Sequence, residues 1–118
     1  LFLGIGAIAS MTLFVPWRIP ENGLPYADLF SRSELKNGMP KNLLARVAYQ
    51  ESRFRPEIID GSLNSSAGAR GIMQIVPKWH PNVNPLDPKA AIPYAGDYLK
   101  GLYNKFGSWS EALAAYNW

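Results

Sequence analysis

The hydrophobic pattern divides the chain into an uncharged start and a series of short helical segments. Leu1 to Val15 carry no charge, and the run ends at Pro16, Trp17 and Arg18. As helix it would reach about 22 Å, short of the ~30 Å hydrocarbon core of a bilayer, so it spans only with residues upstream of it. On that expectation residues 1–18 form an uncleaved membrane anchor, with Trp17 and Arg18 at the interface. Ala7-Ile8-Ala9 offers a signal-peptidase site as an alternative, and burial against a partner is a third. Residues 19–39, punctuated by Pro20, Gly23, Pro25 and Gly38, are expected to be a linker with one short helix over Ala27 to Leu35.

From residue 40 the pattern is helical. Pro40 is placed as the first-turn residue of a helix over Lys41 to Ser52 that stops before Pro56. Glu57 to Arg70, rich in Gly, Ser, Asn and Asp, is expected as a loop, and Gly71 to Val76 as a short helix ended by Pro77. Five prolines between Pro77 and Pro93 exclude a long helix there. Pro93 is expected to open the next one, whose buried stripe is Ala95, Leu99, Leu102, Tyr103 and Phe106 and whose stop is Gly107. Ser108 and Glu111 form a capping box for a last helix carrying Ala112, Leu113, Ala115 and Tyr116. No strand is expected. The fold class is mainly α, with one domain over residues 40–118.

Composition narrows the function classes. With 47% hydrophobic and 18% charged residues the chain carries enough apolar material for a core. Its net charge of +3 is spread over scattered Lys and Arg without a basic run, which argues against nucleic acid as a partner. Cysteine is absent, and the single histidine, His80, lies between Trp79 and Pro81, where a surface position is expected. Neither a metal site nor a cofactor is called for.

The chemistry centres on Glu51. Leu44, Val47, Ala48 and Glu51 follow the i, i+3, i+4, i+7 pattern, which puts the carboxyl on the core-facing side of its helix. Burial raises a carboxyl pKa toward neutrality, as a general acid requires. From this helix alone an ion pair with Arg46, Arg53 or Arg55 is the competing reading. Gly68 and Gly71 around Met73-Gln74 allow close backbone approach to a ligand, and Gln74 offers the donor and acceptor that an acetamido sugar needs; an ordinary turn is the alternative. Tyr98 and Tyr116 read equally well as core aromatics.

Three blocks in order, Glu51-Ser52, Gly71-Ile72-Met73-Gln74-Ile75 and Ala115-Tyr116-Asn117, resemble the soluble lytic transglycosylase family over roughly residues 40–118. The resemblance implies a lysozyme-like helical domain, apparently lacking its C-terminal part, because the family continues beyond Ala-Tyr-Asn. It also implies that Glu51 is the single catalytic acid and base, and that Ser52, Ser65, Met73, Gln74, Tyr98, Tyr116 and Asn117 surround the substrate. Ala91 stands where the family usually has Asn. The implied reaction cleaves peptidoglycan glycan strands between N-acetylmuramic acid and N-acetylglucosamine, leaving a 1,6-anhydro end. The implied location is the periplasm or cell envelope, inner-membrane anchored through residues 1–18, or a phage virion.

Two alternatives differ in kind. Asp60, nine residues after Glu51, has a spacing that also resembles phage-type lysozymes and would supply the second carboxylate of a hydrolase. Its place before Gly61 reads equally as a turn. The other alternative is a weakly active structural component of a phage ejection or secretion apparatus.

Overall fold

The computed structural model describes residues 16–116; the expected anchor over Leu1 to Val15 and the expected site residue Asn117 lie outside them. A 3-10 helix, Glu21–Tyr26, runs directly into α1 (Ala27–Lys36). It is followed by α2 (Leu43–Ser52), the single turn α3 (Pro56–Ile59), α4 (Pro88–Phe106) and α5 (Trp109–Ala115). The described residues contain no strand, only an isolated antiparallel bridge between Arg70 and Ile75. The mainly α class therefore stands.

The core gathers on α2. Leu43, Leu44, Ala45, Val47 and Ala48 are each at most 1% exposed, and they meet Phe30 of α1, Ile92, Ala95 and Leu99 of α4, and Leu113 of α5. Helix α4 packs on both α1 and α5. The α1 crossing is close because Gly96 has no side chain: a Cβ there would lie 2.0 Å from Ser33 Oγ. The α5 crossing is held by Tyr103 stacked on Trp109 at 4.2 Å.

Residues 19–39 do not behave as a linker. Trp17, Ile19, Tyr26 and Leu29 pack on the core, and α1 is one of its walls. The proline and glycine punctuation serves tight local structure instead. Gly38, at φ +64, closes α1 with two bonds, Met39 N–H to Glu34 O at 2.9 Å and Gly38 N–H to Leu35 O at 3.3 Å. This paired closure needs a left-handed residue, which glycine adopts without strain.

The start of α2 also differs from expectation. Pro40 and Lys41 lie in a turn, and Asn42, at φ +70, is the residue before the helix. Its carboxamide donates to Trp17 O at 3.3 Å and leaves the helix uncapped by its own side chain. Glu34 of α1 supplies the cap. Its Oε1 accepts from Asn42 N–H at 3.0 Å, and its Oε2 from Leu44 N–H at 2.9 Å and Ala45 N–H at 3.2 Å. Three amides without intrahelical partners are thus satisfied by one buried carboxyl, with the helix dipole adding to the attraction.

Two further boundaries move. Gly71 to Val76 is a tight loop closed by the Arg70–Ile75 bridge, not a helix, because Gly71 and Gln74 both take positive φ, +78 and +53. Helix α4 opens at Pro88, with Asp87 Oδ1 accepting from Lys89 N–H at 3.1 Å, and Pro93 lies inside it. Of the expected α5 capping box the Ser108 half forms, Ser108 Oγ accepting from Glu111 N–H at 3.1 Å.

Replacing Glu34 by Ala should strand these amides and lower stability by about 2–3 kcal/mol, measured by urea unfolding. A loss within ~0.5 kcal/mol of zero would show that α2 does not depend on the cap.

Candidate active site

Glu51 lies in the last turn of α2, one turn beyond the fully buried Val47 and Ala48. Its side chain is half-buried, and among the described residues no cation or hydrogen-bond donor is paired with it. Arg53 and Arg55, the candidates for an ion pair, are occupied elsewhere: the Arg53 guanidinium lies over the Tyr49 ring at 4.7 Å and Arg55 pairs with Glu57 at 3.1 Å. Arg46 lies over Trp17 at 5.5 Å. Burial pushes the Glu51 carboxyl up to about 8, so it is largely protonated at neutral pH.

The chain directly after Glu51 is locked into an unusual turn. Arg53 and Phe54 both take left-handed backbone, at φ +53 and +55, a strained pair for residues bearing Cβ. Three contacts hold it. Ser52 Oγ donates to Ala48 O at 3.0 Å and accepts from Phe54 N–H at 3.2 Å. Asn22 Nδ2 donates to Arg53 O at 3.0 Å. Phe54 is fully buried, with its ring 5.8 Å from Phe30 and 5.5 Å from Tyr49. The resemblance put Ser52 against substrate; the structure leaves it no exposed surface and uses its hydroxyl on backbone.

The other expected site residues fall into two groups. Ser65 and Tyr98 are half-buried. Ser65 Oγ accepts from Ala69 N–H at 3.0 Å, closing the loop that leads to Arg70. Met73, Gln74 and Tyr116 are buried rather than groove-lining, with Met73 and Tyr116 at 0% and Gln74 at 6% exposure. The Gln74 carboxamide donates to Gly71 O at 3.1 Å, so it braces its own loop. Gly71 is seated against the Pro85 backbone so closely that a Cβ would lie 1.8 Å from Pro85 O.

Tyr98 and Tyr116 are brought together edge to face, with ring centres 6.1 Å apart. His80 joins them. Expected at the surface, it is 7% exposed, lies edge-on to Tyr98 at 5.2 Å, and shares a hydrogen bond with Tyr94 through Nδ1 at 2.7 Å. Burial holds its pKa below the usual imidazole value, keeping it neutral. Asp60 is exposed. Its Oδ1 accepts from Ser62 Oγ at 2.6 Å and Ser62 N–H at 2.8 Å, bonds that hold its carboxyl below the usual range. It closes a turn.

Sequence reasoning passed over Glu34, Asn22 and the burial of His80. Glu34 carried only a weak signal, since of the buried face Phe30, Ser33, Glu34 and Asn37 only Phe30 is apolar. Asn22 and His80 carried none, because their partners are distant in sequence.

Residues 28–118 match the model of the transglycosylase SLT domain. Among curated proteins, the chain is 34% identical over 103 residues to the peptidoglycan transglycosylase gp16 of Escherichia phage T7, covering 78% of this chain and 7% of that protein. It is 31% identical to the membrane-bound lytic murein transglycosylase F 2 of Alkalilimnicola ehrlichii, over 82% of this chain and 23% of that protein. With the transglycosylase F of Histophilus somni it shares 34% identity, over 82% of this chain and 21% of the relative. The chain thus spans less than a quarter of the length of each. No solved structure matches at comparable significance.

The raised Glu51 carboxyl has a consequence for stability. With a folded-state pKa raised from 4.5 to about 8, the native state holds its proton more tightly than the unfolded chain, so stability declines as pH rises between those values and levels off above them. Glu51→Gln should remove this decline. Thermal melts of the two proteins should therefore diverge steadily across that window, the Gln variant becoming the more stable; parallel curves would mean an ordinary carboxyl. Ser52→Ala should cost about 1–2 kcal/mol in urea unfolding through the turn it holds.

Proposed function

The chain belongs to the transglycosylase SLT domain family, and on that premise we propose that it cleaves the β-1,4 bond between N-acetylmuramic acid and N-acetylglucosamine in peptidoglycan, leaving a 1,6-anhydromuramic end. The observation that carries this reading is the protonated, unpaired Glu51 with no second buried acid assigned to it: Asp60 is exposed and committed to Ser62. A two-carboxylate hydrolase requires a partner acid across the bond, whereas an internal nucleophile dispenses with it.

In the proposed reaction Glu51 gives its proton to the glycosidic oxygen as the C1–O bond breaks. The muramyl acetamido group stabilises the positive charge that develops at C1. Glu51, now a carboxylate, takes the proton of the C6 hydroxyl as that oxygen bonds to C1 and closes the anhydro ring. The proton count balances, water is not consumed, and the acid is regenerated. The intramolecular attack carries an entropic advantage that replaces a second protein group. Ser65 and Tyr98, which retain exposed surface, are the proposed sugar contacts, together with Asn117 by resemblance. Ser52, Met73, Gln74 and Tyr116 frame the site from within.

The relatives' names, membrane-bound murein transglycosylases and a phage peptidoglycan transglycosylase, support glycan strands as substrate and the cell envelope or a virion as the place of action. No helix among the described residues is long and apolar enough to cross a membrane, and Trp17 packs on the core rather than standing at an interface, so the proposed anchor over residues 1–18 rests on Leu1 to Val15. One relative is a phage protein, and a second reading makes the domain a weakly active part of a phage ejection apparatus. Glycan binding without turnover would favour it.

Glu51→Gln should lower cleavage of purified peptidoglycan by about 10²-fold or more, because the amide keeps the shape and loses the proton. Activity of the unaltered protein should fall as pH rises through about 8, where the acid form is lost. Mass spectrometry should find 1,6-anhydro ends, with Asp60→Asn close to full activity. Reducing ends together with a large Asp60→Asn defect would instead identify a hydrolase.

A further inference from the structure

The aromatic face of α4 carries more than core packing. Tyr94 and Tyr98, one turn apart, both point their rings at His80, which meets them edge-on at 5.5 and 5.2 Å. The imidazole fixes the Tyr94 hydroxyl at 2.7 Å. Tyr98 is in turn edge-on to the fully buried Tyr116 at the end of α5. His80 is held by backbone as well: its N–H donates to Val76 O at 3.1 Å and Pro77 O at 3.2 Å, closing a turn that begins one residue after the Arg70–Ile75 bridge. One side chain therefore connects the loop bearing Met73 and Gln74 to the tyrosines of α4 and, through them, to α5.

We propose that His80 is a positioning residue for glycan cleavage, registering the Gly71–Ile75 loop against α4 and fixing the orientation of Tyr98 at the sugar site. The proposal rests on the transglycosylase reading above. A purely space-filling role fits the geometry less well. A buried imidazole bears two polar nitrogens, whereas a leucine or phenylalanine would fill the same space without requiring the Tyr94 hydroxyl as a partner. The bond at Nδ1 sets the rotation of the ring, and the ring's edges then set the planes of both tyrosines. Tyr98, half-exposed, passes that orientation to the surface.

The test uses the full chain and needs no isotopic assignment, since the protein has one histidine. His80→Ala and Tyr94→Phe should each lower kcat/KM on peptidoglycan by about tenfold, the scale of a misplaced contact. The alkaline limb near pH 8 should stay where it is, because the surroundings of Glu51 are untouched. His80→Gln, which keeps a polar partner for Tyr94, should recover part of the loss. In the Glu51→Gln protein, titration with an N-acetylglucosamine hexamer should shift the single imidazole's NMR resonances although the ring is buried.

Full kcat/KM in Tyr94→Phe, or an unchanged imidazole spectrum on saturation with the hexamer, would overturn the proposal. If His80→Ala fails to fold, Tyr94→Phe decides. A native protein that cleaves no glycan would defeat the transglycosylase reading instead, and the imidazole titration would still judge the link between His80 and the sugar site.

Discussion

Helix α2 is buried along nearly its whole length, and the rest of the fold answers to that burial. A helix has unsatisfied amides at its start and unsatisfied carbonyls at its end, and inside a protein neither can turn to water. Here the start is completed from outside the helix and the end by the turn that follows it. Glu34 of α1 closes the start with three amide bonds. At the end, Tyr49 O accepts from Arg53 N–H and Ser52 O from Arg55 N–H, while Asn22 reaches Arg53 O from the 3-10 helix. The stretch from Trp17 to Gly38 is therefore structural, because without it α2 would have an open start and a bare side.

The same burial creates the acid. Glu51 shares the face of Leu44, Val47 and Ala48, so the forces that hide this face also strip water from the carboxyl, and no arginine comes to neutralise it. The fold accepts an unfavourable group at this position, and its raised pKa would suit the proton donation proposed for it. Two consecutive left-handed residues immediately afterwards add strain to the same place. Phe54 in the core and the Ser52 and Asn22 bonds hold that strain, which keeps the last turn of α2 rigid beneath the carboxyl.

The loop from Arg70 to Ile75 is the second rigid part. Its side chains turn inward: Met73 fills the core and Gln74 bonds to Gly71 O. Its backbone is pressed on Pro85, and its exit is pinned through His80 to the tyrosines of α4. Ser52, Met73, Gln74 and Tyr116, for which the resemblance suggested sugar contact, are buried. A motif marks a site without separating what touches substrate from what supports it.

The sequence by itself determined the mainly α class, the helices around Ala27, Leu43 and Leu99, the Ser108 cap, and the placing of Glu51 on a buried face. Each of these follows from residues within a turn or two of one another, whose relation is set by the 3.6-residue period and by capping chemistry. Only the tertiary structure decided that α1 within residues 19–39 walls the core, that Gly71 to Val76 is a loop, that Pro93 lies within a helix, and that His80 is buried. Those outcomes depend on pairs far apart in the chain: Glu34 with the start of α2, Asn22 with Arg53, Gly71 with Pro85, and His80 with Tyr94 and Tyr98. Local pattern shows which groups want burial or a partner; packing decides which partner they find, and so whether a buried carboxyl becomes a cap, as at Glu34, or an unpaired acid, as at Glu51.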